Sequence, residues 1–347
     1  MMSGTSLDGV DAALVETDGE AARPTGAWLT VPYAEEVRAA VRAVLGGRGD
    51  VLAAERAVTL AHAEAAERLL ADAGVARDGV AAIGFHGQTI VHRPSEGLTW
   101  QLGDGWLLAA RTGIDVVCDF RRGDLAAGGE GAPLAPLYHA ARAGGLERPL
   151  AVLNVGGVAN VTWIGTGGEA IAFDTGPGGA LLDDWVRRHT GAAFDRDGAL
   201  AAQGRADMAR VEAVLAGPYF ARRPPKSLDR DAFGDPAAGL APADGAATLA
   251  ALTAAAVAAG VRHLPAPPAR WLVTGGGRLN PTIMAALRAR LGVPVDPVEA
   301  VGWNGDALEA EAFAYLAVRS LRGLPVSLPA TTGARRPAPG GVLCRAR

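Results

Sequence analysis

The sequence predicts an α/β chain of two domains built on one plan. Three observations carry this. A length of 347 residues suits about two domains. The order glycine loop, strand, glycine turn, strand occurs near residue 4 and again near residue 156. Strands interspersed with alanine-rich helices follow each occurrence, the pattern of α/β folds.

Composition narrows the function classes. With 49% hydrophobic and 20% charged residues the chain is of globular type. A net charge of −4 gives no footprint for nucleic acid, so none is expected as a partner. Cys118 and Cys344 lie far apart in sequence and form neither a metal spacing nor a disulfide framework, which points to a reducing, cytoplasmic location. Met1-Met2-Ser3-Gly4 has neither a basic region nor an apolar core, so no leader is expected. The most apolar run, 246–261, reads as too short and too alanine-rich to span a bilayer, so no membrane is expected. The single lysine, Lys226, follows no glycine run, which excludes a P-loop.

In order, residues 3–11 form a polar glycine loop whose N–H groups and hydroxyls suit an anion, or else an ordinary turn. Residues 10–17, Asp18-Gly19 and 26–32 read as a hairpin. Residues 35–46 and 51–74 read as amphipathic helices, and 79–85 as a buried strand. That strand runs into His86-Gly87-Gln88-Thr89, polar residues where ligand crevices form. His86 and His92 lack a third ligand at metal spacing. After a strand at 114–120, the glycine-rich stretch 121–133 reads as a binding edge, hinge and domain boundary.

The second half opens with a strand at 150–155 and the loop Gly156-Gly157-Val158-Ala159-Asn160. A hairpin follows; its turn, Gly165-Thr166-Gly167-Gly168, mimics a dinucleotide fingerprint but leads into strand-like residues. Residues 173–186 read as strand end, glycine turn and helix, with Pro177 in the first helical turn. Leu181, Leu182, Trp185 and Val186 make its buried stripe, and Asp183 and Asp184 sit at the margin. A carboxylate on a rigid helix beside a glycine turn suits a general base. The plainer reading is that Asp183–Arg187 and Asp184–Arg188 are solvated i,i+4 pairs. Residues 206–216 and 244–263 read as helices, and the basic segment 218–233 as a surface loop or an anion contact. A strand at 270–274, then Gly275-Gly276-Gly277, then a helix opened by Asn280-Pro281 is a nucleotide-approach geometry. Residues 306–321, carrying Glu309 and Glu311, form the last helix.

An ordered set of motifs resembles one family. The set is Met2-Ser3-Gly4-Thr5-Ser6-Leu7-Asp8-Gly9-Val10-Asp11, His86-Gly87-Gln88-Thr89, Asp119-Phe120-Arg121, Gly131-Ala132-Pro133-Leu134, Asn154-Val155-Gly156-Gly157-Val158-Ala159-Asn160, Asp174-Thr175-Gly176-Pro177, Thr274-Gly275-Gly276-Gly277, Glu309-Ala310-Glu311-Ala312-Phe313-Ala314 and Thr332-Gly333-Ala334. It resembles the anhydro-N-acetylmuramic acid kinases, within the actin, sugar-kinase and heat-shock-chaperone superfamily.

That resemblance implies two actin-like, ribonuclease H-like domains with a nucleotide cleft between them. The expected boundaries are 1–127, joined by 323–347, and 128–322. It implies ATP and Mg²⁺ as cofactors, an amino-sugar substrate and a homodimer. The reaction implied is hydrolytic opening of 1,6-anhydro-N-acetylmuramic acid with phosphorylation of O6, in peptidoglycan recycling. Asp183 matches the general base; His86, Gln88, Arg121, Asp174 and Glu309 match sugar-lining segments. Gly4, Thr5, Ser6, Leu7, Asp8, Gly9, Val10, Asp11, Gly156, Gly157, Asn160, Gly275, Gly276, Gly277 and Asn280 match nucleotide-holding elements, with Asp8 toward the metal. The chain departs from the family pattern where Gly179 replaces Asn and Glu130 replaces Gln, and it starts almost at the first loop. The alternatives are another amino-sugar kinase of the superfamily, or a nucleotide-switched protein without enzymatic activity.

Overall fold

The computed structural model describes residues 1–346 apart from Thr5, Ser6 and residues 229–231. Its strands are β1 (Gly9–Thr17), β2 (Ala22–Pro32), β3 (Ile83–Phe85), β4 (Gln88–Arg93), β5 (Leu98–Leu102), β6 (Val116–Cys118), β7 (Leu150–Val155), β8 (Val158–Ile164), β9 (Ala170–Pro177), β10 (Arg270–Thr274), β11 (Val295–Pro297) and β12 (Val342–Cys344). Its α-helices are α1 (Glu35–Ala43), α2 (Val51–Ala73), α3 (Gly105–Thr112), α4 (Arg122–Ala126), α5 (Pro136–Arg142), α6 (Ala180–Thr190), α7 (Met208–Leu215), α8 (Pro218–Ala221), α9 (Pro242–Gly260), α10 (Pro281–Leu291), α11 (Leu308–Leu321) and α12 (Pro329–Thr332). The chain divides into unit 1, Met1–Gly144 with Asp306–Arg347, and unit 2, Gly145–Gly305.

In unit 1, β1 and β2 form the antiparallel hairpin, β6 runs parallel to β3, and β12 runs antiparallel to β6. Residues 1–3 join these two sheets. Met2 and Asp11 exchange backbone hydrogen bonds of 3.0 and 2.9 Å, and the His86 N–H donates to the Met1 carbonyl at 3.1 Å. The strand order is therefore β2, β1, residues 1–3, β3, β6, β12. The core holds Val10, Ala12, Val58, Phe85, Leu102, Leu108 and Val116. Asp50 caps α2 by accepting the Ala53 N–H, and Gly74 ends it at φ +64°, a left-handed conformation that glycine adopts without strain.

In unit 2 the order is β9, β8, β7, β10, β11. The first three in sequence are antiparallel, and β10 and β11 lie parallel to β7. Both units thus share a ribonuclease H-like strand order, as expected, with β12 an addition in unit 1. The central strand β7 is apolar on both faces, as a sheet covered on both sides requires. Helix α9 packs on β9, α6, α7 and α10. With its following turn it spans Pro242–His263, which by length and composition suffices to cross a membrane; the expectation that it is too short does not hold, yet 72% of its apolar window is buried inside the protein.

Several boundaries differ from the sequence reading. The breaks fall at Gly144/Gly145 and Gly305/Asp306, not at 127/128 and 322/323. Side-chain chemistry accounts for this: the Tyr138 hydroxyl of α5 donates to Glu311 of α11 at 2.6 Å, and Arg142 lies 3.3 Å from the same carboxylate. Helix α11 in turn lies against β3, where the Phe313 carbonyl occupies the space a side chain on Gly84 would need. The stretch 121–133 is not all loop, because α4 forms inside it. Pro177 ends β9 rather than opening a helix, and α6 begins at Ala180. On this helix Asp184 accepts from Arg187, three residues on, at 2.9 Å, and Arg188 reaches Asp235. Cys118 and Cys344, distant in sequence, meet with sulfurs 3.9 Å apart because β12 returns beside β6.

Candidate active site

Unit 2 gathers its predicted residues at one end of its sheet. Thr274 pairs with Asn154, Asn154 with Asn160, and Asn160 with Asp174, so one polar row crosses β10, β7, β8 and β9. Directly opposed residues share a face of the sheet. Asp174 also anchors a neighbouring segment. Its carboxylate accepts the Leu228 N–H at 2.8 Å, and its carbonyl accepts the Tyr219 hydroxyl at 2.5 Å.

The Gly156-Gly157 turn holds the start of α6. The Gly179 N–H donates to the Gly156 carbonyl at 2.7 Å, and those of Gly178 and Ala180 donate to the Gly157 carbonyl at 3.0 and 3.2 Å. These loop carbonyls thereby satisfy N–H groups that a helix start leaves unpaired. The Asp183 N–H closes the first turn onto the Gly179 carbonyl at 2.8 Å. The half-buried Asp183 carboxylate leans over the glycine turn: its Oδ2 lies 3.7 Å from where a β-carbon on Gly179 would sit.

The glycines sort into two groups. A β-carbon on Gly178 would come 2.2 Å from the Gly156 carbonyl, one on Gly275 2.3 Å from Asn154 Oδ1, and one on Gly277 2.3 Å from Val155 Cγ1. Those three are needed by the fold. A β-carbon on Gly156 meets nothing nearer than 3.6 Å, and one on Gly276 meets nothing within 4 Å. Neither has a positive φ. Two glycines that the fold does not require, on loops at one end of the sheet, suit close approach of a ligand to the backbone. The Asn280 side chain instead caps α10, its oxygen accepting from Thr282 and Ile283 at 3.0 and 3.1 Å, so its role there is structural.

Unit 1 carries the other predicted residues. Thr5 and Ser6 lie outside the described residues. Leu7 and Val10 are buried in the core, so their side chains serve packing. Leu7 takes φ +58°, a strained conformation for a non-glycine residue, and Arg38 Nε donates to its carbonyl at 3.0 Å. Gly9 is fixed by the hairpin, since a β-carbon there would strike the Val31 carbonyl. Gln88 is fully buried and braces the loop from behind, its Nε2 donating to the Gly4 carbonyl at 3.0 Å.

His86 also works from behind. Its Nδ1–H donates to the Gly87 carbonyl at 2.9 Å, its Nε2 accepts from Arg121 Nε at 2.9 Å, and its ring lies 4.3 Å from that of Phe313. Burial, then the Arg121 charge, hold it far below the usual histidine range, so it is neutral and orients the guanidinium. Arg121 Nη1 donates to the Gly131 carbonyl at 2.7 Å.

An acidic group surrounds the start of β1. Asp11 is pushed up to about 6 by burial, with Asp8, Glu309 and Asp306 adding repulsion, against a 2.6 Å hydrogen bond from Thr30. Asp8 and Glu309 are exposed. No three His, Cys, Asp or Glu among the described residues group to hold a metal unaided. Sequence reasoning did not single out Asp306 or Thr30; no local motif marks them, and Asp306 joins the group because α11 packs against β1.

The family model described as anhydro-N-acetylmuramic acid kinase matches residues 1–346. A relative of that name from Rhodospirillum rubrum is 59% identical over 348 residues, covering 98% of this chain and 92% of the relative. One from Paramagnetospirillum magneticum is 58% identical over 345 residues, covering 98% and 97%, and one from Acidiphilium cryptum is 55% identical over 356 residues, covering 99% and 97%. The chain belongs to the anhydro-N-acetylmuramic acid kinase family.

Proposed function

We propose that Asp183 is the general base in this chain's ATP-dependent opening and phosphorylation of 1,6-anhydro-N-acetylmuramic acid, a step of peptidoglycan recycling. Cleaving a glycosidic C–O bond normally takes an acid on the leaving oxygen and a base on the attacking water. Here the γ-phosphoryl group takes the place of the acid's proton. Asp183 removes a proton from water as its oxygen bonds to C1. The C1–O6 bond breaks, O6 takes the γ-phosphoryl, and ADP leaves with its electron pair. The products are N-acetylmuramate 6-phosphate, ADP and a proton, so one base suffices.

The position of Asp183 over the Gly179 turn, tied to the Gly156-Gly157 loop, carries the reading. Gly276 has open space beside its backbone for phosphate oxygens, and a β-carbon on Gly156 would make only ordinary contacts. Arg121, oriented by neutral His86, is the sugar-binding cation, and Glu309 is a carboxylate near the sugar. Asp8 and Asp11 would hold Mg²⁺. The repulsion that Asp8 exerts on Asp11 fits Mg²⁺, which is usually bound through one or two carboxylates with phosphates and water completing its shell. When bound, Mg²⁺ offsets charge on the triphosphate.

The test is turnover in ¹⁸O-water, with mass spectra read before anomeric exchange. Label at C1 of the 6-phosphate is the expected result. A phosphorylated sugar without it, or one with the anhydro ring intact, overturns the reading.

A further inference from the structure

We infer that Asp124 is a positioning residue for Arg121, setting that guanidinium through Gly131; the inference rests on the reading of Arg121 as the sugar-binding cation. Asp124 is fully buried on α4. Its Oδ2 accepts the Gly131 N–H at 2.6 Å. Its Oδ1 accepts the Thr332 hydroxyl at 2.6 Å and the Ser327 hydroxyl as well. Both hydroxyl residues are buried too. The Asp124 carbonyl accepts the Gly129 N–H at 2.9 Å, and a β-carbon on Gly129 would lie 2.2 Å from Asp124 Oδ2. The loop therefore closes tightly over the carboxylate.

What this clamp holds is Gly131, the residue on whose carbonyl Arg121 rests. Gly131 gives its N–H to Asp124 and takes Arg121 Nη1 on its carbonyl at 2.7 Å. Arg121 Nε meets His86 Nε2 at 2.9 Å, fixing the second edge of the guanidinium. The chain Ser327 and Thr332, Asp124, Gly131, Arg121, His86 is thus continuous. Hydrogen bonds to a buried carboxylate are of the stronger, charge-assisted kind. The donors on its far side come from the C-terminal segment, so residues more than two hundred positions away in sequence fix Arg121.

The experiment compares Asp124→Ala, Asp124→Asn and Arg121→Ala by steady-state kinetics with each substrate varied. Asp124→Ala frees the Gly131 peptide and should raise KM for the anhydro sugar by about tenfold or more, with KM for ATP little changed. Asp124→Asn should restore most of the sugar KM, because its oxygen still accepts from Gly131 while the hydroxyls rotate to accept from its amide. In Asp124→Ala/Arg121→Ala the sugar KM should match that of Arg121→Ala alone. An Arg121→Ala enzyme with normal sugar KM overturns the reading of Arg121 itself. A raised KM in Arg121→Ala beside an unchanged KM in folded Asp124→Ala overturns the positioning role alone. Should Asp124→Ala fail to fold, Thr332→Val replaces it: a sugar KM raised about threefold supports the role, and an unchanged one overturns it.

Discussion

Asp183 and Gly179 stand one helical turn apart, with the carboxylate Oδ2 3.7 Å from the site of an absent Gly179 β-carbon. The proposed base is therefore held by the same turn that grips the Gly156-Gly157 loop. Asp183→Asn keeps that shape and removes the proton acceptor. Turnover should fall by about 10²–10⁴ while nucleotide and sugar affinities stay near normal. Kinetics together with calorimetric binding check this; near-normal turnover removes Asp183 from the mechanism.

The neighbouring glycines answer differently to substitution. Gly178→Ala drives a β-carbon into the Gly156 carbonyl at 2.2 Å, and should cost about 3 kcal/mol. Gly179 has φ −81° and ψ −18° and only ordinary contacts, so Gly179→Asn should fold with stability within about 0.5 kcal/mol of the parent. Thermal unfolding of the two variants side by side separates them.

Gly276 offers a cleaner probe of the proposed nucleotide loop. Among the described residues other than its chain neighbours, an alanine β-carbon there meets no atom within 4 Å, so the fold should be untouched. If phosphates approach this backbone, Gly276→Ala should raise KM for ATP about tenfold or more without shifting the melting temperature. An unchanged KM for ATP places the phosphates elsewhere.

Buried His62 and half-buried Asp11 in unit 1 give opposite pH dependences. Burial lowers His62 from 6.5 to about 3, so the unfolded chain takes up its proton first, and this contribution to stability is lost as pH falls from 6.5 toward 3. Asp11, raised from 3.8 to about 6, keeps its proton longer when folded, so its contribution is lost as pH rises through that window. His62→Gln should flatten the acid loss of stability by at most about 1.4 kcal/mol per pH unit. Asp11→Asn should steepen it between about pH 4 and 6. Urea midpoints across pH read both slopes.

The local chemistry of glycine and of apolar periodicity made much of this legible. The hairpin at Asp18-Gly19, the turn at Gly165–Gly168 and the start of α10 at Asn280-Pro281 each carry their own signal, and each forms. What stayed hidden depends on distant pairing. Nothing near Gln88 says that its amide will be buried against Gly4, or that His86 will spend both ring nitrogens on Gly87 and Arg121. Pro177 illustrates the limit: its ring suits a helix start, but pairing with Val158 keeps it in β9. The domain boundary failed for the same reason, because Tyr138 and Glu311 meet across 173 residues.

Unit 1 is split by unit 2, and its second part supplies both α11 and β12. During synthesis, residues 145–305 emerge as one uninterrupted stretch and can condense at once. The earlier-made portion must wait: Val116–Cys118 keeps an unpaired flank until residues 342–344 leave the ribosome. A nascent chain from which residues up to 305 have emerged therefore carries all of unit 2, while unit 1 still lacks both α11 and β12.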